Sequence, residues 1–386
     1  MLATSFGALW IVAVGLKAIA ADFGGARSEP ALASSLAWFG SSLGGLMMGP
    51  LAERYGIRTT VIFGAVSVCI GLLISTLGQP WQLFLGHGVF IGLLGNAGLN
   101  APLYVYVSRW FDRRRGSALA LLSSGLYLAG TIWPPIFERA IAHFGWQTTM
   151  LVYGLFVAAV VVPLALIFLK NAPETPTATG MAGAPGETPR VLGWPPNVVF
   201  ALLVVASFLC CVTMSMPQNH LVALCTDLGY SAQSGAAMLS LLLGLGVLGR
   251  QIWGAIADRI GALSTLMISS ALQGLAMTGF VVTQDEAGLF AVSAAFGIGF
   301  SALIPAYVLA VREYFPAREA SWRVPVVLLL SGSGMATGTW LAGALYDYFG
   351  FYAPAFAAGV AFNMANFIVI ATLVLRRRVY ARAISP

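Results

Sequence analysis

Twelve runs of apolar residues, each about 20 residues or longer, follow one another along the chain. They are Leu2–Ala21, Ala31–Ala52, Thr60–Leu77, Trp81–Val107, Gly116–Ala140 and Thr148–Phe168, then Pro196–Leu221, Ala232–Ala257, Leu263–Thr283, Ala287–Val311, Pro325–Leu345 and Ala353–Leu375. A hydrocarbon core about 30 Å thick is crossed by about 20 helical residues. The runs are continuous rather than alternating, so they predict membrane-spanning α-helices and not the strands of a closed barrel. Between the sixth and seventh runs lies Asn171–Trp194, rich in Pro, Thr, Ala and Gly. Such a segment cannot build a core and predicts a flexible linker, dividing the chain into six spans plus six.

The loops between the runs predict an orientation. With the N-terminus in the cytoplasm, the loops and tail on that side hold Arg54, Arg58, Arg109, Arg113, Arg114, Arg115, Lys170, Arg190, Arg259, Arg312, Arg318, Arg323, Arg376–Arg378 and Arg382. The opposite loops hold only Arg27 and Arg139. This asymmetry predicts an inner-membrane protein with both termini in the cytoplasm, and a missed span would have scrambled it. The first run begins almost at Met1 and contains Lys17, so it does not read as a cleavable signal peptide. A longer natural N-terminus is expected to precede it.

Composition agrees with a membrane protein. Of 386 residues, 59% are hydrophobic and only 9% charged, against about 25% charged in a soluble domain. The 44 glycines suit closely packed membrane helices. The net charge of +6 is spread over short loops, which argues against a nucleic-acid partner. Cys69, Cys210, Cys211 and Cys225 show no metal-ligand spacing and read as small buried hydrophobes. No phosphate-cradling loop with its lysine is present, so ATP is not expected to drive the protein. No nucleophile and base gather at one membrane depth, which argues against an enzyme. No cofactor is expected.

Two cations interrupt the apolar runs. Arg250 lies within Met238–Ala257 and Lys17 within Leu9–Ala21. A guanidinium in hydrocarbon costs about 3 kcal/mol or more and cannot shed its proton, so it faces a cavity or a partner. Asp258 is eight residues away, an awkward spacing for direct pairing. A fixed positive charge at depth predicts an anion site, and the planar fork matches a carboxylate. Lys17 either reaches out to the interface or attracts the anion from the far side. In the second role it would gain a proton with the substrate and lose it on delivery. His87 is the other candidate for proton handling, while His143, in an outer loop, and His220, near an outer helix end, read as solvated. Asn96, Asn100 and Tyr104 share one face of the fourth span at fourfold spacing, and Tyr127, Ser301 and Tyr307 are further polar candidates for the site. Each could instead link helices.

The two halves echo each other. Gly49-Pro-Leu-Ala-Glu53-Arg54-Tyr-Gly56-Ile-Arg58 and Gly254-Ala-Ile-Ala-Asp258-Arg259-Ile-Gly261 stand 205 positions apart. Both resemble the loop between spans two and three of the major facilitator superfamily, with Glu53 in place of the usual aspartate. The resemblance covers essentially the whole chain. It implies an all-α polytopic membrane protein of twelve transmembrane helices in two six-helix bundles, 1–170 and 195–386, joined by the linker 171–194. It further implies a gating latch at the cytoplasmic face from Glu53, Arg54, Arg58, Arg113, Asp258 and Arg259.

A narrower resemblance is to the monocarboxylate transporter family and its bacterial relatives, including oxalate/formate exchangers. It is carried by Lys17, by Arg109-Trp-Phe-Asp-Arg-Arg-Arg-Gly-Ser-Ala, by Pro217-Gln-Asn-His220 with Asp227-Leu-Gly-Tyr-Ser, and by Gly249-Arg250-x-x-x-Gly254. Arg250 falls on that family's substrate-binding arginine. The chain departs from the pattern in two places. Gly246 stands where some members carry an acid, and Leu328–Leu345 lacks the lysine of oxalate exchangers. The resemblance implies a monomeric secondary active transporter that moves a small monocarboxylate with a proton. An anion exchanger, an exporter, or a membrane sensor without turnover are the alternatives.

Overall fold

The computed structural model describes residues 1–110, 115–169 and 190–384. Arg113 and most of the 171–194 segment lie outside the described residues. The spans are α1 (Leu2–Asp22), α2 (Ser28–Tyr55), α3 (Ile57–Ser75) and α4 (Pro80–Leu85, Gly86–Asn96 and Ala97–Trp110). Then come α5 (115–144), α6 (146–168), α7 (Pro196–Asp227), α8 (Ala232–Ile260) and α9 (Ala262–Val282). They are followed by α10 (Glu286–Phe300 and Leu303–Tyr314), α11 (Ala317–Phe349) and α12 (Ala353–Ile384).

Eleven described helices are long and apolar enough to cross a membrane. One of them, Leu121–Phe168, has 48 residues. At 1.5 Å per residue it would run about 72 Å, more than twice a hydrocarbon core. It does not run straight, because Gly145 breaks it with φ 78 and ψ 164 and turns α5 back into α6. The tenth span, predicted as continuous, is interrupted at Ser301 and Ala302. Large apolar side chains such as Phe63, Val152, Ile167, Leu275 and Ile368 point outward, as a lipid-facing surface requires.

The duplication read from the sequence is also visible in the backbone. Gly56 and Gly261, 205 positions apart, have φ 84 and 79, a region open to glycine at no steric cost. Each is followed by a threonine, Thr60 and Thr265, whose hydroxyl donates back to the glycine carbonyl at 2.9 Å. Each motif is therefore a tight helix–glycine–helix corner. Gly145 and Gly350, again 205 apart, end α5 and α11 with φ 78 and 82.

Close packing rests on small residues. α4 is wound as a π-helix over Gly86–Asn96. A Cβ at Gly64 would lie 2.6 Å from Leu99 and 2.8 Å from the Gly95 carbonyl, so α3 and α4 touch backbone to backbone. Three main seams join the first six spans to the last six: α2 on α11, α5 on α8, and α1 on α7.

Arg323 corrects the loop reading. α11 begins at Ala317 rather than near Pro325, and Arg323 is inside it, only 3% exposed. Its guanidinium carbon lies 4.5, 4.3 and 4.6 Å from the rings of Phe200, Phe315 and Trp322. It donates to Glu319 of its own helix at 2.7 Å and to Asn197 at 2.9 Å, tying α7 to α11. Desolvated cation–π contacts are worth about 2 kcal/mol. Arg323→Ala is expected to lower stability by about that much or more, seen as a lower melting temperature in detergent, with Arg250-dependent binding unchanged.

Candidate functional site

Arg250 occupies α8 18 residues from its start and ten from its end. These spacings put it about 27 Å from one face and about 15 Å from the face that carries the chain termini. Glycines on α8 decide what surrounds it. A Cβ at Gly246, one turn earlier, would sit 3.3 Å from both the Tyr127 and Phe300 rings. A Cβ at Gly249 would sit 2.5 Å from Ser301 Oγ. Bare backbone thus lets α5 and α10 close against α8, and Arg250 reaches across to α5. Its Nη2 donates to the Tyr127 hydroxyl at 2.7 Å, and its Cζ stands 4.4 Å from the Tyr127 ring centroid. Tyr104 of α4, bonded to Ser123, lies in the field of the same guanidinium.

Among the described residues no carboxylate pairs with Arg250, and its Nε is buried without a hydrogen-bond partner. The guanidinium is half-buried between the two sets of six spans, held by a neutral phenol. Such a group retains most of its capacity to bind an anion. Tyr127→Phe keeps the ring under the cation and removes one hydroxyl. A neutral hydrogen bond nets about 1 kcal/mol, so substrate affinity is expected to fall about fivefold, read as a KM change in a flux assay.

The other predicted site residues are dispersed. Asn96 is fully buried and accepts from Ser5 of α1 at 2.9 Å, while its Nδ2 has no partner. Asn100 is half-buried one turn further along α4. Ser301 donates to the Ile298 carbonyl at 2.9 Å and fills the break in α10 beside Gly249. Tyr307 donates to Asn366 at 2.5 Å, which in turn donates to Ser270 at 2.8 Å. Tyr307 is thereby tied into a hydrogen-bonded core among α9, α10 and α12, which also contains Gln273 and Asn363 at 2.8 Å. His87 is buried, with Nδ1 3.0 Å from Ser75 Oγ and 3.2 Å from the Leu83 carbonyl.

Lys17 lies far from Arg250. Its Nζ pairs with Asp227, the last residue of α7, at 3.0 Å, and its side chain is 44% exposed. Asp227 sits at the face opposite the termini, here called distal, about 27 Å along α8 from Arg250. The same carboxylate takes a two-pronged contact from Arg27, at 2.5 and 2.6 Å. The Arg27 backbone N–H and that of Ser28 donate to Asp347 of α11 at 2.7 and 2.9 Å. The Arg27 guanidinium also stands 3.6 Å from the Tyr346 ring centroid. Burial opposes its charge, yet hydrogen bonds to Asp227, together with Tyr352, hold its pKa above the usual arginine value. Every one of these contacts joins the first six spans to the last six.

Sequence reasoning placed Arg27 in a loop and passed over Asp347. It also placed His220 near a helix end in contact with water. The structure buries His220 completely beneath the distal cluster. The available signal was a single acid near the distal end of each of α7 and α11, Asp227 and Asp347, opposite Arg27.

The α2–α11 seam is tightly packed from its distal end to its middle. A Cβ at Gly343 would be 3.0 Å from the Arg27 carbonyl, and one at Gly332 would overlap Ser42 Oγ. Gly45 and Gly49 continue the Ser42 face of α2 towards the termini. A Cβ at either, or at Gly254 of α8, would meet nothing within 4 Å. Beyond the midplane on the terminal side, these glycines therefore make none of the close contacts that their distal counterparts make. Glu53, Arg54, Asp258 and Arg259 are exposed at that face, and Arg58 donates to the Leu169 carbonyl at 3.0 Å. At the 205-residue offset, Arg250 corresponds to Gly45 and Tyr127 to Gly332.

Comparison with known proteins agrees with this architecture. The model of the Major Facilitator Superfamily matches residues 1–285 and 201–386. Among curated relatives, an MFS-type transporter, pynF, of Aspergillus niger is 26% identical over 81% of this chain and 72% of its own length. Monocarboxylate transporter 13 of Bos taurus is 27% identical over 87% of this chain and 77% of its own. An agnestins efflux protein of Paecilomyces divaricatus is 23% identical over 87% and 76%. A bacterial homologue of the human lysosomal transporter Spinster, solved in an inward-facing and occupied conformation, superposes with TM-score 0.71 at 15% identity, covering 99% of this chain and 94% of that one. A POT family transporter in complex with 5-aminolevulinic acid gives 0.74 at 14% identity over 98% and 95%. Twelve crossings, a duplicated glycine corner and a family match over the whole chain lead to one conclusion: the chain belongs to the major facilitator superfamily and is a multi-pass secondary transporter of a small solute.

Proposed function

We propose that this transporter moves a small monocarboxylate, with a proton, across the cytoplasmic membrane by alternating access, with the termini in the cytoplasm. One observation carries the reading. Arg250 is a permanent cation at membrane depth, without a carboxylate partner among the described residues, on a helix whose Gly254, one turn towards the terminal face, has no close neighbour. A carboxylate entering from that face would meet the guanidinium fork and the hydroxyls of Tyr127 and Tyr104. The surrounding Phe300 and glycine surfaces offer few polar partners, which favours an acid with a short apolar body over a sugar. The resemblance to monocarboxylate transporter 13 supports the same cargo class.

The placement of Lys17 gives it a gating role in this reading. In the distal-closed state it holds Asp227. When the distal side opens, that contact is lost and the ammonium is free to attract an incoming anion. The exposed acid–arginine motifs Glu53-Arg54 and Asp258-Arg259 would act as the matching latch of the terminal face in the opposite state.

The test is counterflow in proteoliposomes with labelled lactate, pyruvate, formate, oxalate and an aromatic acid, with and without a pH gradient. Accumulation of a monocarboxylate that rises with an inward proton gradient is expected. Binding without accumulation would identify a sensor, and gradient-independent exchange of oxalate would replace this reading with that of an exchanger.

A further inference from the structure

His220 sits on α7 two turns before Asp227, so both lie on one face of the helix. It is completely buried, and both ring nitrogens are engaged. Nε2 is 2.8 Å from the Thr339 carbonyl of α11, and Nδ1 is 3.0 Å from the Tyr352 hydroxyl at the entrance to α12. A carbonyl only accepts, so Nε2 carries the hydrogen. In neutral imidazole Nδ1 is then bare and accepts from the Tyr352 O–H. Burial keeps the Tyr352 phenol protonated, its pKa pushed up despite the neighbouring Arg27. The distal-closed geometry is thus written for a neutral histidine.

The charged groups facing His220 come from four elements. Arg27, between α1 and α2, has its guanidinium carbon 5.2 Å from the Tyr352 ring centroid. Asp347 on α11 and Arg27 both act on the imidazole. Tyr346 lies against Tyr352 with ring centroids 4.6 Å apart and planes tilted by 41°. Asp227 on α7 and Lys17 on α1 complete the cluster.

We propose that His220 is a proton-binding site of the distal gate, empty in the closed state and filled from the distal solution in the open state, so that acid on that side favours opening. Hydronium in the distal solution gives up a proton, breaking one O–H bond to leave water and forming an N–H bond at Nδ1. The Tyr352 hydrogen bond to Nδ1 is then lost, and the hydroxyl must swing to another acceptor, Asp227 or Asp347. Both carboxylates are the anchors of Arg27. The same proton places a second fixed cation directly under Arg27, in a site shielded from water. Each effect loosens the contacts that close the α2–α11 and α1–α7 seams. Opening by this route needs no particular cargo and no proton travelling with it.

Spin labels at Leu77→Cys and Tyr348→Cys, exposed distal positions in the two sets of six spans, report gate opening by pulsed distance measurement. The native cysteines are buried. The measurement is made in nanodiscs and carboxylate-free buffers, so a result on the gate stands apart from any result on the cargo. A solvated imidazole titrates near 6.5, so moving from pH 8 to pH 5 is expected to multiply the open-to-closed ratio about thirtyfold. His220→Gln offers an N–H to Thr339 and an oxygen to Tyr352, copying the neutral ring, and should reduce that swing to less than about twofold. Tyr352→Phe removes the donor that favours the neutral ring, and should shrink the swing at least threefold. A full thirtyfold swing in His220→Gln overturns the proposal. Should that variant fail to fold, an undiminished swing in Tyr352→Phe overturns it equally.

Discussion

Arg250→Ala is expected to reduce carboxylate uptake at least a hundredfold while leaving the melting temperature within a few degrees of the parent. The guanidinium donates to Tyr127 and keeps Nε in reserve, so a bound carboxylate would gain two charge-assisted hydrogen bonds. Such bonds are worth about 1.5–3 kcal/mol each. Losing them removes at least about 3 kcal/mol, and every 1.4 kcal/mol is a factor of ten. The fold should survive because Arg250 makes no ion pair among the described residues and its removal deletes a buried charge. Arg250→Lys retains the charge but not the planar fork and is expected to recover only a small part of the flux. Uptake in Arg250→Ala within tenfold of the parent would remove the basis for the proposed cargo.

The second large effect is at the distal face. Asp227→Ala is expected to shift the resting equilibrium from distal-closed towards distal-open by about a hundredfold or more. The Lys17 contact contributes little, since exposed pairs are worth about 0–1 kcal/mol. Arg27 is different, because its side chain is 7% exposed and its guanidinium is paired at both ends of the fork. Removing the carboxylate strands a buried cation, which costs about 3–5 kcal/mol. Opening the gate returns Arg27 to water, so the penalty falls on the closed state alone. The check is thiol labelling of Ala31→Cys, a position fully buried against Gly343 of α11. Labelling should be slow with Asp227 present and much faster in Asp227→Ala. Equal rates would show that the cluster does not hold the gate.

The span count, the duplication and Arg250 were all legible in the sequence, because each is a local signal. An apolar run, a repeated glycine corner and a charge inside hydrocarbon all declare themselves within about 20 residues. The Tyr127 contact was partly legible, as a polar residue in a neighbouring span. The distal cluster was not. Its members lie 200 to 320 positions apart, and a charge at a helix end reads equally well as a solvated loop residue. Lys17 shows the cost of that ambiguity, since its neighbours alone could not reveal that Asp227 awaits it across the seam. His220 was misplaced for a related reason. Its position near the end of α7 suggested water, but the turn into α12 brings Tyr352 over it. Nothing in Gly86–Asn96 beyond its glycines announced a π-helix.

The correspondence of Arg250 with Gly45, and of Tyr127 with Gly332, bears on selectivity. Duplication placed equivalent positions in two seams, and at the level of Arg250 only one of the two carries a cation among the described residues. On the proposed function, a solute carrying a single acid group would be satisfied by that lopsided arrangement, its uncharged end lying towards bare glycine. A diacid would have its second anion facing a wall with no counter-charge, and would be refused by desolvation rather than by size.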